Sequence, residues 1–112
     1  MDIQKDQRDQ VVVVSITGSI DAFTASEVTN YLSAEISAGH NRVVADLSHV
    51  DYISSAGLRA ILSALKETRQ MGGDFRLAGA QPNVSKLLHI SGFVSIIKIF
   101  STVDDAVASF AG

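Results

Sequence analysis

The hydrophobic pattern switches between strand-like and helix-like rhythm along the whole chain. Val11 to Val14, continued by Ile16, is an apolar, β-branched run of the kind a buried strand needs. It predicts a strand over Val11 to Thr17, ended by Gly18. A turn at Asp6 to Asp9 precedes it, and Ile3 falls in a short partner strand of the same hairpin. Val28, Tyr31, Leu32 and Ile36 then recur on one helical face. Thr24 and Glu27 stand at capping-box spacing ahead of them and Gly39 is a natural stop, so a first helix is predicted from Thr24. Val43, Val44, Ala45 and Leu47 are nearly continuous apolar residues, which predicts a central strand over Arg42 to Leu47, covered on both faces. Asp46 breaks that run near its C-terminal end, where open α/β sheets form their sites.

Val50 to Ser55 reads as a loop entering a second helix. Leu58, Ile61, Leu62 and Leu65 give that helix an i, i+3, i+4, i+7 stripe. Arg59, Ser63, Lys66 and Glu67 lie off the stripe and face solvent; Gly72-Gly73 ends the helix. Phe75 to Ala78 predicts a strand. Pro82 suits the first turn of a third helix with Val84, Leu87 and Leu88 on its apolar side, closed by Ser91-Gly92. Val94 to Phe100 predicts a last strand. A final helix holding Val107 and Phe110 starts at a cap formed by Ser101 and Asp104 or by Thr102 and Asp105. The alternation gives one mixed α/β domain over residues 1–112, with four or five strands and about four helices.

Composition narrows the chemistry. At 112 residues and 46% hydrophobic, the chain can build one core without covalent staples. It has no cysteine, which excludes disulfides, thiolate metal sites and thiol nucleophiles. The net charge is −3 with acidic and basic residues scattered, which disfavours a nucleic-acid or anionic-membrane surface. Met1 to Gln10 is polar and no apolar run reaches spanning length, so a soluble, cytoplasmic chain without direct membrane insertion is expected. Dispersed carboxylates and histidines offer no metal site, and neither Gly-x-Gly-x-x-Gly nor a Gly-Lys phosphate loop occurs, so no cofactor is expected.

Two segments carry candidate chemistry: Thr17 to Asp21, and Asp51 to Leu58. A serine just before an amphipathic helix is first of all a cap. Gly57, however, falls inside the first turn, where glycine costs about 1 kcal/mol against alanine and lets another group approach closely. Free N–H groups and the macrodipole also favour an anion at a helix start, by about 0.3–1 kcal/mol for a surface charge. A phosphoryl group on Ser55 would thus leave the domain folded. In an interface its nearly two negative charges would cost several kcal/mol. A loss of roughly 3–4 kcal/mol shifts binding by two to three decades, enough for a switch.

Gly18-Ser19-Ile20-Asp21, Ala45-Asp46-Leu47-Ser48 and Tyr52-Ile53-Ser54-Ser55-Ala56-Gly57-Leu58 resemble, in order and spacing, the signature blocks of STAS domains. These are the domains of anti-sigma factor antagonists and of sulphate-transporter tails. The resemblance covers nearly the whole chain. It implies a non-enzymatic switch whose unphosphorylated form binds an anti-sigma factor that is also a serine kinase of the histidine-kinase-like ATPase fold, freeing a sigma factor or another client. A metal-dependent serine phosphatase would reverse the mark. Ser55 matches the phosphoacceptor position. Ser54 matches a position that is often Asp, so one carboxylate beside the acceptor is missing. Asp21 and Asp46 match acidic or polar positions on the same surface, and Asp21, Asp46, Ser54, Ala56, Gly57 and Arg59 are the expected partner-binding residues.

Two other readings follow from the same residues. One is a STAS subunit of a membrane transporter assembly, such as one for lipid. The other is a small serine hydrolase, since Ser55-Ala56-Gly57 is half of a nucleophile elbow. The full elbow needs Gly where Ile53 stands, and His40, His49 and His89 have no acid partner evident in the sequence.

Overall fold

In a computed structural model, which describes residues 1–111, the chain opens with a hairpin of two long strands, β1 (Asp2–Arg8) and β2 (Val11–Ile20). Both outrun the expected lengths. The turn is only Asp9-Gln10, with Asp9 in the left-handed region at φ 55° and its carbonyl accepting from the Gln7 amide at 2.8 Å. Gly18 does not end β2: at φ 117° it lets the strand continue through a register shift against its neighbour.

The remaining elements are α1 (Ala25–Ser37), β3 (Arg42–Ile53), α2 (Ser55–Gln70), β4 (Asp74–Ala78), α3 (Pro82–Ile90), β5 (Ile99–Phe100) and α4 (Val103–Ala108). The five strands lie side by side in chain order, β1 antiparallel to β2 and every later pair parallel. Parallel neighbours joined by helical crossovers of one hand put their helices on one face. Accordingly α1, α2 and α3 pack on one side, over Val12, Val14, Ile16, Val43, Ala45, Leu47, Phe75 and Leu77. The other side holds Val11, Val13, Val44 and Ala78 against Ala106 of α4. That two-sided burial is why four consecutive valines suit β2.

Three local expectations are corrected. β3 runs on through Val50 to Ile53, where a loop was predicted, because Val50 and Ile53 are buried and β2 stays paired with it up to Ile20–Ile53. Val94 to Phe100 is mostly not a strand. Gly92, at φ 81°, leads into a 3₁₀ turn over Phe93–Ser95, and only Ile99 and Phe100 pair with β4. The capping box at Thr24 does not form. Thr24 is the cap residue of α1, but its hydroxyl donates to the Ser19 carbonyl near the end of β2. Thr102 does cap α4, accepting from the Asp105 N–H at 3.1 Å.

α4 is fastened by a charged cluster. Asp74 accepts from Arg76 at 3.0 Å and from Arg69 at 3.1 Å. Arg76, only 8% exposed, also donates to Ser109 at 2.6 Å and stacks 3.9 Å above the Phe110 ring. Burial alone would raise the Asp74 pKa, but the two guanidiniums and the Phe75 N–H together hold it below the usual carboxylate value.

Candidate functional site

The first turn of α2 is built by two adjacent serines with different duties. Ser54, in extended conformation, is the cap: its Oγ accepts from the Gly57 N–H at 3.2 Å and its carbonyl from the Leu58 N–H at 2.9 Å. The helix thus has its capping oxygen without Ser55. Ser55 is the first helical residue, is exposed, and its hydroxyl enters no hydrogen bond among the described residues. The N–H groups of Ser55 and Ala56 point out of the open end of the helix.

Gly57 answers a different need from the one its sequence position suggests. It is buried, and a Cβ there would lie 2.8 Å from the Ile20 carbonyl oxygen, 2.8 Å from Ile53 Cγ2 and 2.9 Å from Ile20 Cγ2. The close approach is that of the protein's own strand β2, so Gly57 is removed from the residues able to touch a partner. The same Ile20 carbonyl accepts from the Ser54 N–H at 2.8 Å. The end of β2 and the start of α2 are therefore clamped together. Ala56 is half-buried and packs on the core, whereas Arg59 is exposed one turn after Ser55.

Asp21 lies in the loop that follows Ile20. Its Oδ1 accepts from the Phe23 N–H at 2.9 Å and the Thr24 N–H at 3.1 Å, and its carbonyl from the Ala25 N–H at 2.9 Å. The Thr24 hydroxyl donates to the Ser19 carbonyl at 2.7 Å while its oxygen accepts from the Asp21 N–H at 2.9 Å. The hydrogen bond from the Phe23 N–H is the main reason the Asp21 carboxyl titrates below its ordinary value. Beside it, the Ser19 hydroxyl donates to Asp51 at 2.7 Å, and the Asn83 amide donates to the Asp51 carbonyl at 2.7 Å. These contacts had no sequence signal, because they join residues 32 positions apart.

Asp46 does not belong to this cluster. β3 continues for seven residues beyond it, up to about 23 Å of extended chain. Its side chain lies on the α4 side of the sheet, in a polar hollow with Asp2, Gln4, Ser15, Thr17 and His49. Its Oδ1 accepts from the Ser48 N–H at 3.0 Å. The predicted shared surface of Asp21 and Asp46 fails because the strand that carries Asp46 has 12 residues, twice the length of the predicted Arg42 to Leu47. The histidines are elsewhere too: His49 meets Ser48 at 3.2 Å, His89 the Ser85 carbonyl at 2.8 Å, and His40 approaches Glu35 at 3.9 Å. Among the described residues none of the three histidines hydrogen-bonds to Ser55, the pairing on which a serine hydrolase relies. Among the described residues no helix is long and apolar enough to cross a membrane, and no group of metal-ligating side chains converges.

Comparison with known proteins agrees with this architecture. The model of the STAS domain matches residues 2–106. BtrV of Bordetella bronchiseptica, which bears the name of an anti-sigma factor antagonist, is 36% identical over 98% of this chain and 95% of its own. The anti-sigma-F factor antagonist RsfB of Mycobacterium tuberculosis is 29% identical over 91% of this chain and 83% of its own. The crystal structure of an anti-sigma factor antagonist from Mycobacterium paratuberculosis superposes with a TM-score of 0.91 at 25% identity, covering 99% of this chain and 94% of that one.

Proposed function

This chain belongs to the STAS domain family, and we propose that it is an anti-sigma factor antagonist whose docking is controlled by phosphorylation of Ser55. The observation that carries the proposal is the exposed, unbonded hydroxyl of Ser55 beside a helix cap that Ser54 supplies alone. Unmodified, the surface around Ser55 binds a kinase-like anti-sigma factor and releases the sigma factor or other client held by it. In the modifying step the Ser55 Oγ–phosphorus bond forms as the bond between the β- and γ-phosphates of ATP breaks. ADP leaves and the hydroxyl proton passes to a base on the kinase. This chain supplies the acceptor and the surface; the catalytic groups belong to the partner.

The phosphoryl group sits at the positive end of α2, where it is tolerated by the free chain, and Arg59 lies within an i, i+4 reach of it. A partner face that packs over this surface must desolvate the charge, which costs several kcal/mol. A metal-dependent phosphatase restores the binding form. Such a cycle belongs in the cytoplasm, with the transcription machinery that the client serves.

The test uses a purified kinase-like anti-sigma factor from the source organism. With ATP it is expected to add one phosphate, on Ser55, read by mass spectrometry. Ser55→Ala should bind as wild type and resist modification, and Ser55→Asp should bind at least about tenfold more weakly. Wild-type affinity in Ser55→Asp together with no phosphate on the wild type would falsify the switch.

A further inference from the structure

We infer that Phe23 is the apolar anchor of the docking surface, its ring entering an apolar pocket of the kinase-like partner that modifies Ser55. The inference rests on the reading of Ser55 given above. Phe23 is 92% exposed, the most exposed of the large apolar side chains described. A single exposed apolar residue is ordinary on a protein surface. What sets Phe23 apart is the rigidity of the backbone that displays it. Asp21 holds the Phe23 and Thr24 N–H groups, and Thr24 ties the loop back to the Ser19 carbonyl. The loop therefore does not fold the ring onto neighbouring apolar surface, and only two side-chain torsions remain to be fixed on binding. A rigid aromatic with few torsions loses little entropy at an interface, which is why such residues dominate interface energetics.

Position identifies the occupant. Phe23 is three residues beyond Ile20, whose carbonyl is bonded to the Ser54 N–H at 2.8 Å. Tyr52, 53% exposed, is paired with Ser19 in the same part of the sheet. The ring, Tyr52 and the Ser55 hydroxyl thus project from three segments bonded to one another. A kinase that transfers phosphoryl to Ser55 must bring its nucleotide to that hydroxyl, and in doing so it covers the adjoining loop. The partner that reads Ser55 is the partner that meets Phe23.

The experiment titrates the full chain with the anti-sigma factor that phosphorylates Ser55, by calorimetry, with thermal melts as a check on folding. Phe23→Ala is expected to weaken binding about 10- to 30-fold without lowering the melting temperature. Phe23→Tyr should restore binding to within about threefold of wild type. Asp21→Ala, which frees the loop and keeps the ring, should weaken binding too. Ile90→Ala, which removes an apolar side chain 72% exposed at the far end of α3, should change nothing. Binding of Phe23→Ala within about twofold of wild type, while Ser55→Asp is weak, sinks the anchor and leaves the switch intact. Weak Phe23→Ala with normal Ser55→Asp keeps the docking surface and removes the switch. Absence of binding by the wild type removes both.

Discussion

Replacing Gly57 by alanine adds one methyl group where the start of α2 touches the end of β2. The new carbon would stand 2.8 Å from the Ile20 carbonyl oxygen, closer than real contacts allow, with Ile53 Cγ2 at 2.8 Å and Ile20 Cγ2 at 2.9 Å. The isoleucine methyls can turn aside, but the carbonyl is part of the β2 backbone, so the helix must back away. Overpacking of this kind costs about 1–3 kcal/mol. Alanine recovers up to about 1 kcal/mol of helix propensity. The net expectation is a loss of about 1–2 kcal/mol, which for a domain this small lowers the melting temperature by about 5–10 °C. Urea titration at neutral pH, followed by far-ultraviolet circular dichroism, measures it. The double variant Gly57→Ala/Ile53→Ala should lose less than the sum of its single changes, because one clash is relieved. A Gly57→Ala protein as stable as wild type would refute the clamp between β2 and α2.

Two further substitutions probe the same frame. Ser54→Ala removes the capping oxygen and should cost about 1 kcal/mol in urea denaturation, yet leave Ser55 open to phosphorylation, read by mass spectrometry; failure to accept phosphate would mean that Ser54 is part of the acceptor site. Asp74→Asn strips the buried Arg76 of its counter-charge and should cost about 1–3 kcal/mol at pH 7. Because the folded Asp74 carboxyl titrates below its unfolded value of 3.8, its stabilisation is complete above that value and fades as the pH falls through the folded one. The gap between wild type and Asp74→Asn should therefore narrow as the pH falls below about 4, and a gap that stays constant or widens on acidification would contradict the assignment.

Much of the scaffold was legible in the chain. The valine run and the stripe from Leu58 to Leu65 each have one physical solution, a doubly covered strand and a half-buried helix. Errors arose where local pattern and position in the sheet diverge. Val94 to Phe100 has the β-branched character of a strand, but it reaches the outer edge of the sheet after a turn, where only two residues find a partner. Asp51 and Tyr52 look like loop residues because both are exposed, and only the pairing with β2 makes them strand. Around the start of α2, Ser55 and Asp21 stood out as candidates from their blocks. The role of Gly57 was not, since nothing in the neighbouring residues says that Ile20 lies against it. Phe23 gave no signal, because an exposed phenylalanine breaks the pattern by which apolar residues are read.

The separation of the capping serine from its neighbour bears on how information can leave this molecule. A modification that took away the cap would compete with the integrity of the fold, and its message would be mixed with partial unfolding. A charge placed on Ser55 would arrive instead on a side chain that enters no hydrogen bond among the described residues. By reciprocity, whatever factor the phosphate subtracts from the partner's affinity, the partner must impose in return on the equilibrium of phosphorylation. A partner that binds the unmarked chain and marks it would thereby loosen its own hold and let the product go.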